Sequence, residues 1–137
     1  MQYKLLEPQE AALLLSFVDD THTQYDIPRL LDFLKGENNF AYIARTEDAI
    51  IGFAYGYLLP KPDGRKDLYL HAIDVMEPWQ NQGHGTGLMR FIHSHAKSLG
   101  CGKLFLITNT DNAPACRCYE KAGGTAGSAN DILYIFK

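Results

Sequence analysis

Little in this chain of 137 residues suits it to nucleic acid, to a membrane or to export. Thirteen Lys and Arg against sixteen Asp and Glu leave a formal charge of −3, whereas a nucleic-acid binder usually carries a basic stripe. The balance is compatible with a cationic partner instead. No apolar run approaches the roughly 18 residues that a membrane-spanning helix needs, and the opening Met1-Gln2-Tyr3-Lys4 has no signal-peptide apolar core. A soluble, cytoplasmic protein is expected. Cysteine is scarce: Cys101, Cys116 and Cys118 are an odd number in a chain with no export signal, so reduced thiols are expected and no disulfide framework is implied. On a helix Cys116 and Cys118 stand roughly 200° apart around the axis, as do His93 and His95, so neither pair shares a metal and none is expected. Internal repeats, low-complexity tracts and linkers are missing too. With 46% hydrophobic and 21% charged residues, the chain reads as one domain over residues 1–137 with a single core.

What is present alternates between helical and extended periodicity. Gln9 to Val18 has a helix pattern with Leu13, Leu14 and Phe17 on one face, and Ile27 to Leu34 repeats it with Leu30, Leu31 and Leu34 before Gly36. Phe40 to Ala44, Ile50 to Leu58 and Leu68 to Val75 read as strands of an antiparallel meander, punctuated by Glu47-Asp48 and Pro62-Asp63-Gly64. Leu88, Phe91, Ile92, Ala96 and Leu99 then form an apolar helical stripe ended by Gly100, and Leu104 to Ile107 reads as a buried strand. This strand–helix–strand passage is the parallel unit. A final strand is expected over Leu133 to Phe136.

The most informative stretch lies between the third of those strands and the striped helix: Gln80-Asn81-Gln82-Gly83-His84-Gly85-Thr86-Gly87. Glycines at 83, 85 and 87 let main chain approach a ligand without an intervening Cβ, and the free N–H groups that open a helix attract an anion. Two nucleotide readings fail on spacing. A dinucleotide fingerprint needs G-x-G-x-x-G with an acidic residue about 20 positions on, where this chain has Gly102-Lys103-Leu104-Phe105. A P-loop needs a lysine after its glycines, and none follows.

The remaining pattern, Gln80-x-x-Gly83-x-Gly85, resembles the acyl-CoA signature Q/R-x-x-G-x-G/A of the GNAT superfamily of N-acetyltransferases. A second pattern, N-x-x-A-x-x-x-Y-x-x-x-G from Asn112 to Gly123, resembles that family's fifth-strand end and following helix. One departure is Gly124, where the family usually has a bulky apolar residue. The resemblance spans essentially the whole chain. It implies an α/β (α+β) GNAT fold: a mixed, mostly antiparallel sheet with flanking helices, its fourth and fifth strands splayed. It also implies acetyl-CoA as co-substrate and direct attack by an amine. The pantetheine arm is expected to pair with main chain of Ile73 and Val75, the Val75 N–H polarising the thioester carbonyl. The phosphates are expected over Gln82, Gly83, His84, Gly85, Thr86 and Gly87, with Gln80 beside them.

Tyr119 falls at the family's general-acid tyrosine, to protonate or hold the coenzyme A sulfur. Asn112 is expected to touch the pantetheine arm or to cap the helix. The base stays open among His71, Asp74 and a chain of waters; alternation puts Tyr69, His71 and Ile73 on one face and Leu70, Ala72 and Asp74 on the other, unless a bulge intervenes. The stretch from Phe40 through Tyr57-Leu58-Leu59-Pro60 to Gly87-Leu88 is similar to aminoglycoside 3-N-acetyltransferases. Those carry a tyrosine–aspartate pair where this chain has His71-Ala72, and an acidic pair where it has Asn112-Ala113. The acceptor is thus expected to be a small amine such as an aminoglycoside or polyamine, with Asp74, Asp111 or the group Asp19, Asp20 and Asp26 supplying carboxylates. A protein lysine or N-terminal amine, or an acetyl-CoA-binding module without turnover, are the alternatives. Leu59 to Lys66 and Asp20 to Pro28 are the expected walls, and an edge strand over Ile132 to Lys137 is expected to permit a homodimer.

Overall fold

A computed structural model describes residues 1–17 and 25–137. Five strands, β1 (Gln2–Leu5), β2 (Asn39–Arg45), β3 (Ile50–Pro60), β4 (Lys66–Val75) and β5 (Leu104–Phe105), alternate with helices α1 (Ile27–Lys35), α2 (His84–Ser98) and α3 (Ala113–Lys121) and two 3-10 turns, Pro8–Ser16 and Glu77–Trp79. The strands lie in the order β1-β2-β3-β4-β5. The first three junctions are antiparallel and β4 runs parallel to β5. This is the mixed α/β sheet with flanking helices expected from the GNAT resemblance, its fourth and fifth strands parting after a short paired stretch.

The sheet is buried on both faces, and its alternation sorts two cores. On one face Ala41, Ile43, Ile50 and Phe53 pack against Leu14, Phe17 and Leu30. On the other Tyr42, Ala54, Leu68 and Leu70 pack against Leu88, Met89, Ile92 and Ala96 of α2. Each fully buried large apolar side chain contributes about 1.5–3 kcal/mol. One polar contact crosses the second core: Tyr42 Oη lies 2.8 Å from His95 Nδ1, giving the buried hydroxyl the partner it needs. Burial pushes the Tyr42 phenol well above its usual value and the His95 imidazole below its own.

Several boundaries differ from the sequence-based expectation. The first helical segment is a 3-10 turn ending at Ser16, and Val18 lies outside the described residues. Its buried side chains Ala11, Leu14 and Phe17 recur every third residue, which stacks them on one face at three residues per turn. Glu7 and Glu10 close it with a capping box. The strand expected over Leu104 to Ile107 is only Leu104–Phe105. The strand expected over Leu133 to Phe136 does not form. Among the described residues none from 123 to 137 joins a strand, and all are exposed. The hairpin between Pro60 and Lys66 joins strands paired to their ends. It packs near Gly100, Gly102 and Lys103 and is no wall of the cleft described next.

Candidate functional site

The β4–β5 pairing stops after Leu68 opposite Leu104 and Tyr69 opposite Phe105. Just beyond, β4 carries a bulge: Tyr55 faces Ala72 while Gly56 faces Leu70, so His71 is the extra residue. A bulge bends its strand and resets its alternation. Here it parts β4 from β5 and opens a cleft of ≈ 200 Å³. Leu70, His71, Ala72, Ile73 and Asp74 line one side; Leu106, Ile107, Thr108, Asn112 and Tyr119 line the other. Sequence reasoning had not assigned Leu106, Ile107 and Thr108 to the site. They follow β5 and carry no chemical signature beyond apolarity.

The bulge also corrects the expected faces of β4. Leu70 and Ile73 both belong to the α2-side core, although regular alternation would separate them. Asp74 pairs across the sheet with Phe53, a residue of the α1-side core, so it shares a face with Phe53. His71 lies on that same side, its ring 5.5 Å from Tyr55 and 5.7 Å from Tyr69, with Nδ1 3.0 Å from the Tyr69 hydroxyl. His71 and Asp74, expected on opposite faces, thus border the cleft from one face. Tyr69 in turn packs on Phe105, ring centroids 5.1 Å apart, behind His71.

Backbone direction in β4 follows from two bonds. The Met76 N–H donates to the Ile51 carbonyl of β3 at 2.9 Å. Groups alternate sides along a strand, so Ile73 and Val75 turn their N–H and C=O away from β3, toward the cleft side. The Val75 carbonyl is taken there by the Gln80 side-chain amide at 2.8 Å. Gln80 thereby ties the glycine turn to the strand end. Gln82 secures the same turn by donating to the Pro78 carbonyl at 3.0 Å.

The three glycines of the turn serve three different needs. Gly83 is the N-cap of α2 at φ 85, a left-handed conformation that costs other residues about 1–2 kcal/mol. A Cβ on Gly85 would stand 3.1 Å from Cys118 Sγ and 3.9 Å from Val75 Cγ2, so this glycine lets α2, α3 and β4 converge. A Cβ on Gly87 would meet the Tyr3 ring at 2.5 Å. The expectation that Gly87 makes room for a ligand is therefore corrected: Tyr3 of β1 fills that space. His84, at the first helical position, is held by Tyr3, whose hydroxyl lies 3.2 Å from His84 Nδ1, and by Trp79, with ring centroids 5.8 Å apart. The first α2 bond at this end runs from the Gly87 N–H to the Gly83 carbonyl. The N–H groups of His84, Gly85 and Thr86 have no acceptor within the helix, as at every helix start, and no side chain caps them. With the helix dipole they form a ready anion site.

Across the cleft, Asn112 Oδ1 caps α3 by accepting from the Ala115 N–H at 3.2 Å. Tyr119 sits one helical face on, half-buried beside Cys118. Burial, with Cys118, Asp74 and Cys116 adding like charge, pushes its phenol up to about 12. The group is a neutral hydrogen-bond donor throughout the physiological range. Helix α3 ends in a Schellman motif, the Gly124 N–H donating to the Tyr119 carbonyl and the Gly123 N–H to the Glu120 carbonyl, with Gly123 at φ 102. A Cβ on Gly124 would lie 3.0 Å from the Tyr119 carbonyl, which accounts for glycine at that position. The described residues hold no cluster of three or more His, Cys, Asp or Glu able to bind a metal. No helix among them is long and apolar enough to cross a membrane. Asp19 and Asp20 lie outside the described residues. Asp26 caps α1 through the Arg29 N–H, and Asp111 does not line the cleft.

Known structures share this fold. An aminoglycoside acetyltransferase from an uncultured soil metagenomic sample superposes with a TM-score of 0.82 at 19% identity, over 99% of this chain and 94% of that one. A ribosomal-protein-alanine N-acetyltransferase from Brucella melitensis biovar Abortus 2308 gives 0.79 at 20% identity, over 100% and 99%. A transcriptional regulator from Bacillus halodurans C-125 gives 0.74 at 20% identity, over 98% and 99%. At such identities the likeness is one of fold. Comparison with curated proteins finds no match. The model of the acetyltransferase (GNAT) family matches residues 5–124. That span runs from β1 through both glycine-bearing motifs, and the chain accordingly belongs to the GNAT family of acetyltransferases.

Proposed function

We propose that the protein transfers an acetyl group from acetyl-CoA to the primary amine of a small molecule, by direct attack within the β4–β5 cleft. The observation that carries this reading is convergence. Ile73 and Tyr119 line one opening between splayed strands, and the uncapped start of α2 meets the end of β4 just beyond it, where a Cβ on Gly85 would stand 3.9 Å from Val75 Cγ2 and 3.1 Å from Cys118 Sγ of α3. The residues fit the co-substrate. The N–H groups of His84, Gly85 and Thr86 would take its pyrophosphate, Gln80 and Gln82 would hold the turn in place, and Ile73 and Val75 would pair with its amide-bearing arm. Acetyl-CoA supplies the activated acyl group.

The protein's part is to orient and polarise. The Val75 N–H is aimed where charge develops on the thioester oxygen. A phenol near 12 is a weaker acid than an ordinary thiol near 8.5. Tyr119 therefore holds the sulfur by a hydrogen bond as negative charge builds there, sharing its proton rather than surrendering it early. On the acceptor side, His71 serves as base in the tautomer whose Nδ1–H donates to the Tyr69 hydroxyl oxygen, which leaves the unprotonated Nε2 to take the proton of the incoming amine, and Asp74 attracts its ammonium form.

Asp74 is the one carboxylate among the described residues lining the cleft. This favours an acceptor that presents one ammonium to the cleft. A polycation such as an aminoglycoside needs further carboxylates beyond that border. The test is release of free coenzyme A thiol from acetyl-CoA across arylalkyl monoamines, polyamines, aminoglycosides, amino acids and lysine peptides. Turnover concentrated on a small-amine class supports the reading. Turnover with peptides alone moves the acceptor to a protein amine. Silence across the panel in a sample that binds acetyl-CoA favours a binding module without turnover.

A further inference from the structure

Tyr119 reaches the cleft from α3, so its place depends on how α3 stands against α2. The neighbouring Cys118 is the residue at that junction. Like Tyr119 it is half-buried against the α2-side core. Its Sγ accepts from the Thr86 hydroxyl across 3.7 Å and would lie 3.1 Å from a Cβ on Gly85. Both partners belong to the uncapped first turn of α2. Thr86 therefore offers its main-chain N–H at the open end of α2 while its hydroxyl is held by α3. Arg90 Nη2 fastens the two helices about one turn further along, donating to the Lys121 carbonyl at 3.2 Å. Cys116 plays no part in this, since its Sγ is directed to the Asn109 carbonyl at 3.7 Å.

The residue types suit a close, adjustable joint. Sulfur is large, polarizable and a weak acceptor, so it fills an irregular gap and takes a hydroxyl bond without demanding strict geometry. Gly85 leaves the sulfur its room: a methyl there would force it back by a few tenths of an ångström. The same glycine faces Val75 of β4, whose Cγ2 would stand 3.9 Å from that methyl. Strand end, helix start and the helix of Tyr119 thus meet around one side chain.

We infer that Cys118 is a positioning residue for acetyl transfer, which through Gly85 and Thr86 sets the Tyr119 phenol in register with a co-substrate held at the α2 start. A phenol displaced by a fraction of an ångström gives a longer, poorly aligned hydrogen bond to the sulfur of the co-substrate. Phosphate contacts made by main-chain N–H groups of α2 do not depend on where α3 stands. The loss is therefore expected in turnover and not in affinity. This role rests on the acetyl-transfer reading with Tyr119 as the donor to sulfur.

The test is steady-state kinetics with the most active amine of the panel above, beside calorimetric titration of acetyl-CoA, on variants of the whole chain checked by circular dichroism. Cys118→Ala should lower kcat by about tenfold and change the Kd for acetyl-CoA by less than about threefold. In a Tyr119→Phe background the same change should lower kcat by less than about twofold, because residues that act as a unit are not additive. Cys118→Ser, which still accepts from Thr86, should stay within about threefold of the parent. Additive losses in the two backgrounds, equal falls in kcat and affinity, or a serine as damaging as alanine would overturn the positioning role while the reading stands. Silence across the amine panel, or Tyr119→Phe with kcat unchanged, would remove the reading and this role with it.

Discussion

At the residue scale, Tyr119 and Glu10 carry opposite kinds of consequence. Replacing Tyr119 by Phe removes one hydrogen-bond donor from the cleft and leaves its ring packed against α2. If the phenol acts on the sulfur, kcat should fall by roughly 10²-fold or more while the Kd for acetyl-CoA changes by less than threefold. Rapid-quench kinetics beside calorimetric titration separate the two, and an equal loss in both would make Tyr119 structural. Its phenol is raised from about 10 to about 12 on folding. The stability tied to the neutral form is therefore whole below pH 10 and is lost as pH climbs through 12. No basic limb of kcat before about pH 10 should belong to this residue.

Glu10 is buried at 6% exposure and bonded to Arg45 at 2.7 Å and Lys4 at 3.0 Å. Burial pushes its carboxyl up, but the bonds from Arg45, the Glu7 N–H and Lys4 outweigh it and hold the group below its usual value. Its contribution is present above the unfolded pKa of about 4.3 and is lost as pH falls through the lower folded value. Glu10→Ala, which strands two cations, should cost roughly 2–4 kcal/mol in urea unfolding at pH 7, and this difference should shrink below pH 4. Neither Glu10 nor the Tyr42–His95 pair was legible beforehand. Each has a decisive partner more than thirty positions away, Arg45 for Glu10 and His95 for Tyr42, which no local pattern records.

At the scale of elements, the α2 start and the β4 bulge set the site. Gly83 is defined by its φ of 85, with open space around its Cβ position, so Gly83→Val strains the turn without a clash and disturbs the N–H groups that follow. Acetyl-CoA affinity should drop at least tenfold, with the melting temperature moved by only a few degrees. Gly87→Ala differs in kind because its methyl meets the Tyr3 ring. It should cost roughly 1–3 kcal/mol of stability, read by thermal melting. The glycine spacing and the Asn112–Gly123 pattern were readable because backbone geometry forces those residues locally. The bulge was readable only as a possibility, since one extra residue in a strand shows itself by cross-strand register. That is why His71 and Asp74 were placed on opposite faces.

At the scale of the whole molecule, the antiparallel meander and the parallel strand–helix–strand passage follow from apolar periodicity, and the splay between β4 and β5 from the family resemblance, whereas the single core expected from composition is two, one on each face of the sheet. The strand expected over Leu133 to Phe136 does not form. A strand needs a paired edge as well as an apolar, β-branched sequence, and composition alone cannot supply the edge. The central claim is that one cleft receives acetyl-CoA with its phosphates at the start of α2. It is tested most directly by titrating acetyl-CoA into nitrogen-15-labelled protein and following amide shifts. The account predicts saturable shifts centred on Ile73, Val75, His84, Gly85 and Thr86, with little change near the hairpin at Lys61–Lys66. Shifts centred on that hairpin, or none at the α2 start at saturation, would contradict it.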